Sequence, residues 1–221
     1  MKIALVGGTG RIGQHLAAEA LSMGHDVTVI ARHASGATSA SMSLPDGPMP
    51  RTGALRHVRA DLFDPEALAE AVRGHDAIVS AFAAPPEMPM RVADAAKALV
   101  DAARAAVVRR LMVVGGAGSL EVTPGIVLAD TPGFPAALRP KAVAHSRAID
   151  VLRRAPDLDW TWFAPAAEIA DGPRTGTFRR GSMLVADAAG RSRISYADFA
   201  AAFVDELAAA RWLRQVMTAG Y

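Results

Sequence analysis

Three glycines at intervals of three, Gly7, Gly10 and Gly13, stand in "VGGTGRIG", directly behind the apolar run "IALV" and ahead of a segment of helical period. In that setting each glycine has a task. Gly7 permits a tight turn, Gly10 brings the backbone up to a diphosphate, and Gly13 lets the helix lie close against the strand. The diphosphate then meets free amides at the positive end of the helix. A glycine triplet alone is a weak signal; its place after the first strand and its flanks give it weight. The reading is a dinucleotide loop in which Thr9, Arg11 and Ile12 join the three glycines as cofactor contacts. A second glycine turn, "GGAGS", runs from Gly115 to Ser119 behind the apolar run "LMVV" and ends in a hydroxyl. One chain rarely needs two phosphate loops, so the second turn calls for another role.

Further candidates follow along the chain. The second strand, "DVTVIAR", ends in Arg32 where an acid would bind the ribose hydroxyls of NADH. A guanidinium there offers paired donors to a 2′-phosphate, so NADPH is expected, with NADH as the alternative. His33 and Arg51 are placed to assist. Asp61, next to Leu62 in "RADLF", either accepts from the adenine amino group or caps a turn. Ala81 and Phe82, at the end of the fourth strand, are placed to pack beside the cofactor, with core packing the alternative for Phe82. Lys141 and His145 lie four apart on a helical segment, which gives His145 as a proton donor near neutral pH or the pair as a solvated face. Trp160 and Trp162 alternate along a strand and read as core. No His, Asp and Glu grouping has metal-ligand spacing.

The elements that position these residues are strands over 3–6, 26–31, 57–59, 77–81, 110–114 and 161–163, and helices over 11–23, 65–72, 90–105 and 142–153. Strand and helix in alternation make a doubly wound parallel α/β sheet of Rossmann type. Strands covered on both faces read as continuous apolar runs, as these do. Asp64 ahead of Pro65 is an N-cap with proline at the first helical position. Ser195 and Asp198 form a capping box with the shorter acid ahead of "FAAAFVDELAAA". The stretch 34–53 has no period and is expected to be a mobile loop. After residue 163 the alternation fades, and 164–194 is expected to fold as a small C-terminal substrate lobe within one domain spanning 1–221.

Bulk composition narrows the function classes. The 221 residues include 51% apolar and 21% charged side chains, an ordinary globular balance. A net charge of +2 with scattered arginines argues against nucleic acid as a partner. With no cysteine there is no disulfide framework, thiolate metal site or thiol nucleophile. "MKIALVGG" is too short in its apolar run for a signal peptide, and no run reaches the roughly 20 residues of a membrane span. The expectation is a cytoplasmic monomer or homodimer that meets neither membrane nor nucleic acid and takes a small-molecule acceptor.

"GGTGRIG" and "GGAGSL" resemble the atypical short-chain dehydrogenase/reductases. "DWTWFAPAAEIADGPRTGTFRRG" and "GRSRISYADFAAAFVDEL" are similar to the NAD(P)H-flavin reductase branch, of the biliverdin reductase B type. Ordinary members of the wider family pair tyrosine with a lysine four residues later. Tyr196 and Tyr221, the two tyrosines of this chain, have no such lysine. The resemblance therefore implies hydride transfer from NADPH to free flavin (FMN or FAD as substrate rather than prosthetic group) or to a similar flat quinone or tetrapyrrole. It implies Ser119 as the residue orienting nicotinamide or acceptor, and Gly115 and Gly116 beside the cofactor. Pro165 and Ala166 would line the nicotinamide, with Gly118 and Arg174 on the acceptor side. The alternative is a non-catalytic NAD(P)-binding redox sensor.

Overall fold

The structure is a computed structural model that describes residues 1–32 and 52–221. His33, Arg51 and most of the aperiodic 34–53 stretch lie outside the described residues. Five strands of the first half, β1 (Lys2–Val6), β2 (Asp26–Ala31), β3 (Leu55–Arg59), β4 (Ala77–Ser80) and β5 (Arg110–Val114), alternate with helices α1 (Arg11–Ser22), α2 (Pro65–Val72) and α3 (Arg91–Ala105). A short hairpin, β6 (Glu121–Thr123) and β7 (Ile126–Val127), leads through two 3₁₀ turns into α4 (Arg139–Arg153) and β8 (Asp159–Pro165). Then follow β9 (Glu168–Ala170), β10 (Arg179–Gly181), β11 (Arg193–Ser195), α5 (Tyr196–Ala209) and β12 (Gln215–Gly220).

The main sheet has the order β10-β12-β8-β5-β4-β1-β2-β3. It is parallel throughout except at β10, which runs antiparallel to β12. Val6 at the end of β1 faces Ile30 on one side and Ser80 on the other, and Val114 faces Phe163. All the parallel strands therefore end on one edge, where open α/β sheets bind ligands. Helices α1 and α5 cover one face; α2, α3 and α4 cover the other.

The covering follows from spacing. In α3, Val92, Ala95, Ala96, Leu99, Val100 and Ala103 recur at three- and four-residue intervals and are buried. Along β8, Trp160, Trp162 and Ala164 go to one core and Phe163 to the other, so the expected same-face alternation of the tryptophans holds. Phe163 stacks on Phe203 at 5.4 Å and meets Phe199 edge-on at 5.0 Å, which locks α5 to the sheet.

Three differences from the sequence reading have local causes. α4 begins at Arg139 rather than Ala142, because Pro140 in the first turn loses no hydrogen bond. β12 was not foreseen; its small, mixed residues lack a strand-like pattern, yet Met217, Thr218 and Ala219 are fully buried between β8 and β10. The segment after β8 divides between two places: β9 pairs with β11 as a two-stranded parallel sheet, and β10 joins the main sheet.

The capping box is half formed. Ser195 Oγ accepts from the Asp198 amide at 3.0 Å, but the Ser195 amide donates to Tyr221 Oη at 3.1 Å. Asp198, fully buried, instead accepts from Thr175 Oγ1 (2.6 Å), the Gly176 amide (2.8 Å) and Tyr221 Oη (2.8 Å).

Candidate functional site

At the first glycine turn Gly7 has φ +77°, and a side chain there would press on the Ala81 backbone at 2.8 Å. A Cβ on Gly13 would fall 2.2 Å from the Gly7 carbonyl oxygen, so α1 packs directly on the turn. Gly10 is different: a Cβ there would meet nothing closer than the Gly7 oxygen at 3.5 Å. It is the N-cap of α1, makes no side-chain capping bond, and no acid stands in the first turn. The helix therefore presents its uncapped positive end with clear space before Gly10.

Two cavities flank that helix start. The first, about 450 Å³, is bounded by Gly7, Thr9 and Gly10, by Arg32 at the end of β2, by Asp61 and Leu62, and by Ala81 and Phe82. Asp61 Oδ1 accepts from the Phe63 amide at 2.9 Å, so the residue caps its turn and borders the cleft at once. Phe82 meets Phe63 edge-on at 5.7 Å, and the Arg91 guanidinium lies 3.6 Å from the Phe63 ring centre. Phe63 and Arg91 also line this cleft and were missed. Neither belongs to a spaced motif.

The second cavity, about 600 Å³, opens on the other side and is bounded by Ile12, by Gly115 to Gly118, and by Pro165, Ala166, Ala167 and Ile169. Its far wall is the segment from Leu128 through Phe134 to Leu138 together with Lys141, Ala142 and His145 of α4. Of the described residues whose atoms line the cavity, one is a lysine, one a histidine and none a carboxylate; Asp130 of the same segment is not among them. The Leu128–Leu138 part of this wall was also missed, though "TPGFPAAL" ahead of a helix is the kind of irregular, proline-rich connection that forms functional loops.

Several expected roles need correction. Ser119 is not in the chamber: it is buried, its hydroxyl donates to the Gly116 carbonyl at 2.8 Å and accepts from Trp162 Nε1 at 3.3 Å. It closes the loop and satisfies a buried indole. The glycines of the second turn make room for neighbours rather than for a ligand at their side-chain positions. A Cβ on Gly115 would fall 2.2 Å from Trp162 Nε1, one on Gly116 2.2 Å from His145 Nδ1, and one on Gly118 2.8 Å from Ala142 Cβ. Arg174 lies outside the chamber lining. It forms paired hydrogen bonds with Glu19 on α1 at 2.7 and 3.0 Å, because a carboxylate only 4% exposed needs a counter-charge. Arg11 pairs loosely with Asp171 at 3.7 Å, both well exposed. Neither tyrosine borders the chamber.

His145 does border it, but not as a cationic acid. Burial, and then the nearby Lys141 charge, push its pKa from 6.5 down to about 4. The ring is neutral near pH 7. Below pH 6.5 the unfolded chain takes up this proton before the folded one, so His145 makes stability fall as pH drops from about 6.5 towards 4. Between pH 7 and pH 5 this amounts to about 2 kcal/mol of unfolding free energy. Urea unfolding of the wild type and His145→Gln at both pH values measures it. A wild-type to variant difference that does not change with pH would contradict the buried neutral ring.

The geometry suits a dinucleotide: an uncapped helix end with no Cβ before it, one cleft beside the second strand and one beside the fifth and sixth parallel positions. The chain belongs to the NAD(P)H-binding family, whose model matches residues 7–210. Its structural neighbours include proteins named as an NADH-flavin reductase and as an epimerase, a set consistent with an atypical short-chain-type reductase. Among curated proteins it is 36% identical over 211 residues to the uncharacterised protein YwnB of Bacillus subtilis, covering 94% of this chain and 92% of that one. Among solved structures it is 46% identical to a protein of Burkholderia pseudomallei provisionally named as exported, with a TM-score of 0.89 and 100% of both chains covered. It is 30% identical to a protein of Streptococcus pneumoniae provisionally named an NADH-flavin reductase, with a TM-score of 0.85, covering 100% of this chain and 99% of that one. No helix among the described residues is long and apolar enough to cross a membrane, and no group of three metal-binding side chains occurs among them.

Proposed function

We propose that the protein is an NADPH-dependent reductase of free flavin or a similarly flat acceptor such as a quinone or tetrapyrrole. The observation that carries this reading is the pairing of an open helix end with a largely apolar chamber of about 600 Å³ beside it, on one edge of one sheet. Such a volume and lining are those of a small-molecule site. The name of the Streptococcus relative points to flavin as acceptor, though with NADH as donor; the preference for NADPH rests on Arg32 alone.

In this reading Gly7, Thr9, Gly10, Arg11, Ile12 and Gly13 hold the diphosphate, Arg32 takes the 2′-phosphate, and Asp61, Leu62, Ala81 and Phe82 border the adenosine. Gly115, Gly116, Pro165 and Ala166 wall the nicotinamide side, and 164–194 serves the acceptor site through its first residues. The bound cofactor supplies a hydride. The protein's own part is to exclude water and hold two flat rings face to face. A chamber whose described lining has no carboxylate and a histidine kept neutral suits an acceptor that spreads charge over its ring and draws its proton from solvent. The cytoplasm is the compartment this reading requires, since it maintains reduced nicotinamide.

Mixing the purified protein with NADPH and FMN, FAD, riboflavin or a soluble quinone should accelerate loss of nicotinamide absorbance over buffer, with NADH a poorer donor. Tight NADPH binding with no acceptor consumed would overturn the reductase reading in favour of the redox sensor.

A further inference from the structure

The acceptor chamber is electrically one-sided. Among the described residues no carboxylate lines it, and the single cationic side chain, Lys141, stands in the first turn of α4. The N-cap Leu138 offers no side-chain bond and no acid occupies the first turn, but the backbone there is not free: the Arg139 amide donates to the Ala136 carbonyl and Pro140 has no N–H, so the lysine side chain is what this turn offers a ligand. Leu138, Lys141 and Ala142 all border the chamber, so the positive end of a fifteen-residue helix and an ammonium group meet at its wall. None of the ion pairs among the described residues uses Lys141.

One turn further along α4 lies His145, 6% exposed and in the same wall. The Nδ1–Cε1 edge of its ring fills the space left by the missing side chain of Gly116, and the ring meets Trp162 edge-on at 5.5 Å. It makes no hydrogen bond to the described residues. A polar ring buried to this degree without a partner is costly unless a ligand completes it. Burial and the Lys141 charge keep it neutral, so it can donate one hydrogen bond without giving up a full proton.

We propose that Lys141, at the positive end of α4, binds an anionic substituent, a phosphate or carboxylate, on the side chain of a planar acceptor, while His145 hydrogen-bonds a polar edge of its ring. The assignment rests on the reductase reading and narrows its substrate class to flat acceptors carrying negative charge. FMN and riboflavin share one ring system and differ by a phosphate, which makes them the probes.

The test is a fluorescence titration of the protein, saturated with NADP⁺, with each flavin. FMN should bind about tenfold more tightly than riboflavin, the size of one partly exposed charge-assisted contact. Lys141→Gln should bring that ratio close to one, Lys141→Arg should keep most of it, and His145→Phe should weaken both flavins while leaving the ratio in place. Thermal melts show that each variant is folded. Equal affinity of the wild type for the two flavins, or a ratio that survives Lys141→Gln, overturns this assignment alone. Binding of neither flavin overturns it together with the flavin reading, whereas turnover of NADPH with an uncharged quinone in preference to FMN leaves a reductase but removes the anion site.

Discussion

Gly10→Ala is expected to leave the protein folded and to weaken NADPH binding by about a hundredfold, the scale of a displaced diphosphate contact. The two halves of that expectation have separate causes. Gly10 has φ −75°, a conformation open to alanine, and the added methyl would lie 3.5 Å from its nearest neighbour. Replacing glycine by alanine at an N-cap costs about 1 kcal/mol at most. The same methyl would project into the space before the α1 amides, where a diphosphate must come into hydrogen-bond range. Gly13→Ala makes the contrast: its methyl would sit 2.2 Å from the Gly7 oxygen and 2.7 Å from the Gly8 Cα, both backbone atoms that cannot swing aside. That substitution should lower stability by about 3 kcal/mol and disturb binding through the fold. Calorimetric titration with NADPH and thermal melting of both variants separate the cases. Undiminished NADPH affinity in folded Gly10→Ala would remove the cofactor from this helix end.

How far the sequence carried the argument depends on whether a residue's role was local. The triplet Gly7, Gly10 and Gly13 was readable because strand, turn and helix are contiguous, and the structure gives Gly7 and Gly13 the turn and packing roles that their spacing implies. The parallel strands were readable because burial on both faces leaves unbroken apolar runs. The second turn does border the chamber, but why it holds glycines was not legible: a glycine marks a place where a side chain does not fit, and sequence does not say whether a ligand or a neighbour takes the space. Trp162, His145 and Ala142 take it here. Arg174 and Glu19 meet across 155 positions of sequence, which no local pattern reports. The chamber's far wall, Leu128 to Leu138, is irregular backbone held by 3₁₀ turns, and irregular backbone has no period to read.

The other large effect falls on stability. Asp198→Ala is expected to cost about 4 kcal/mol, although the sequence reading assigned this residue only half of a helix cap. Its carboxylate is fully buried and accepts from Thr175, the Gly176 amide and Tyr221, three donors on two separate segments. Alanine would leave all three without their acceptor around a fully buried site, although Thr175 and Gly176 themselves reach the surface, so the cost is about 1–2 kcal/mol for each donor rather than the full burial penalty. It would also release the 173–177 turn, whose Arg174 neutralises the buried Glu19. Asp198→Asn keeps one oxygen for the Gly176 amide and lets the two hydroxyls turn to accept from its amide nitrogen, so it should lose about half as much. Tyr221→Phe removes one hydroxyl that both donates to Asp198 and accepts from the Ser195 amide, and should cost about 1–2 kcal/mol. Urea unfolding of the three variants gives the ranking, alanine worst, then asparagine, then phenylalanine. If alanine and asparagine were equally mild, Asp198 would act as a helix cap alone, and the cover over the sheet edge would be held by its ion pair with α1 instead.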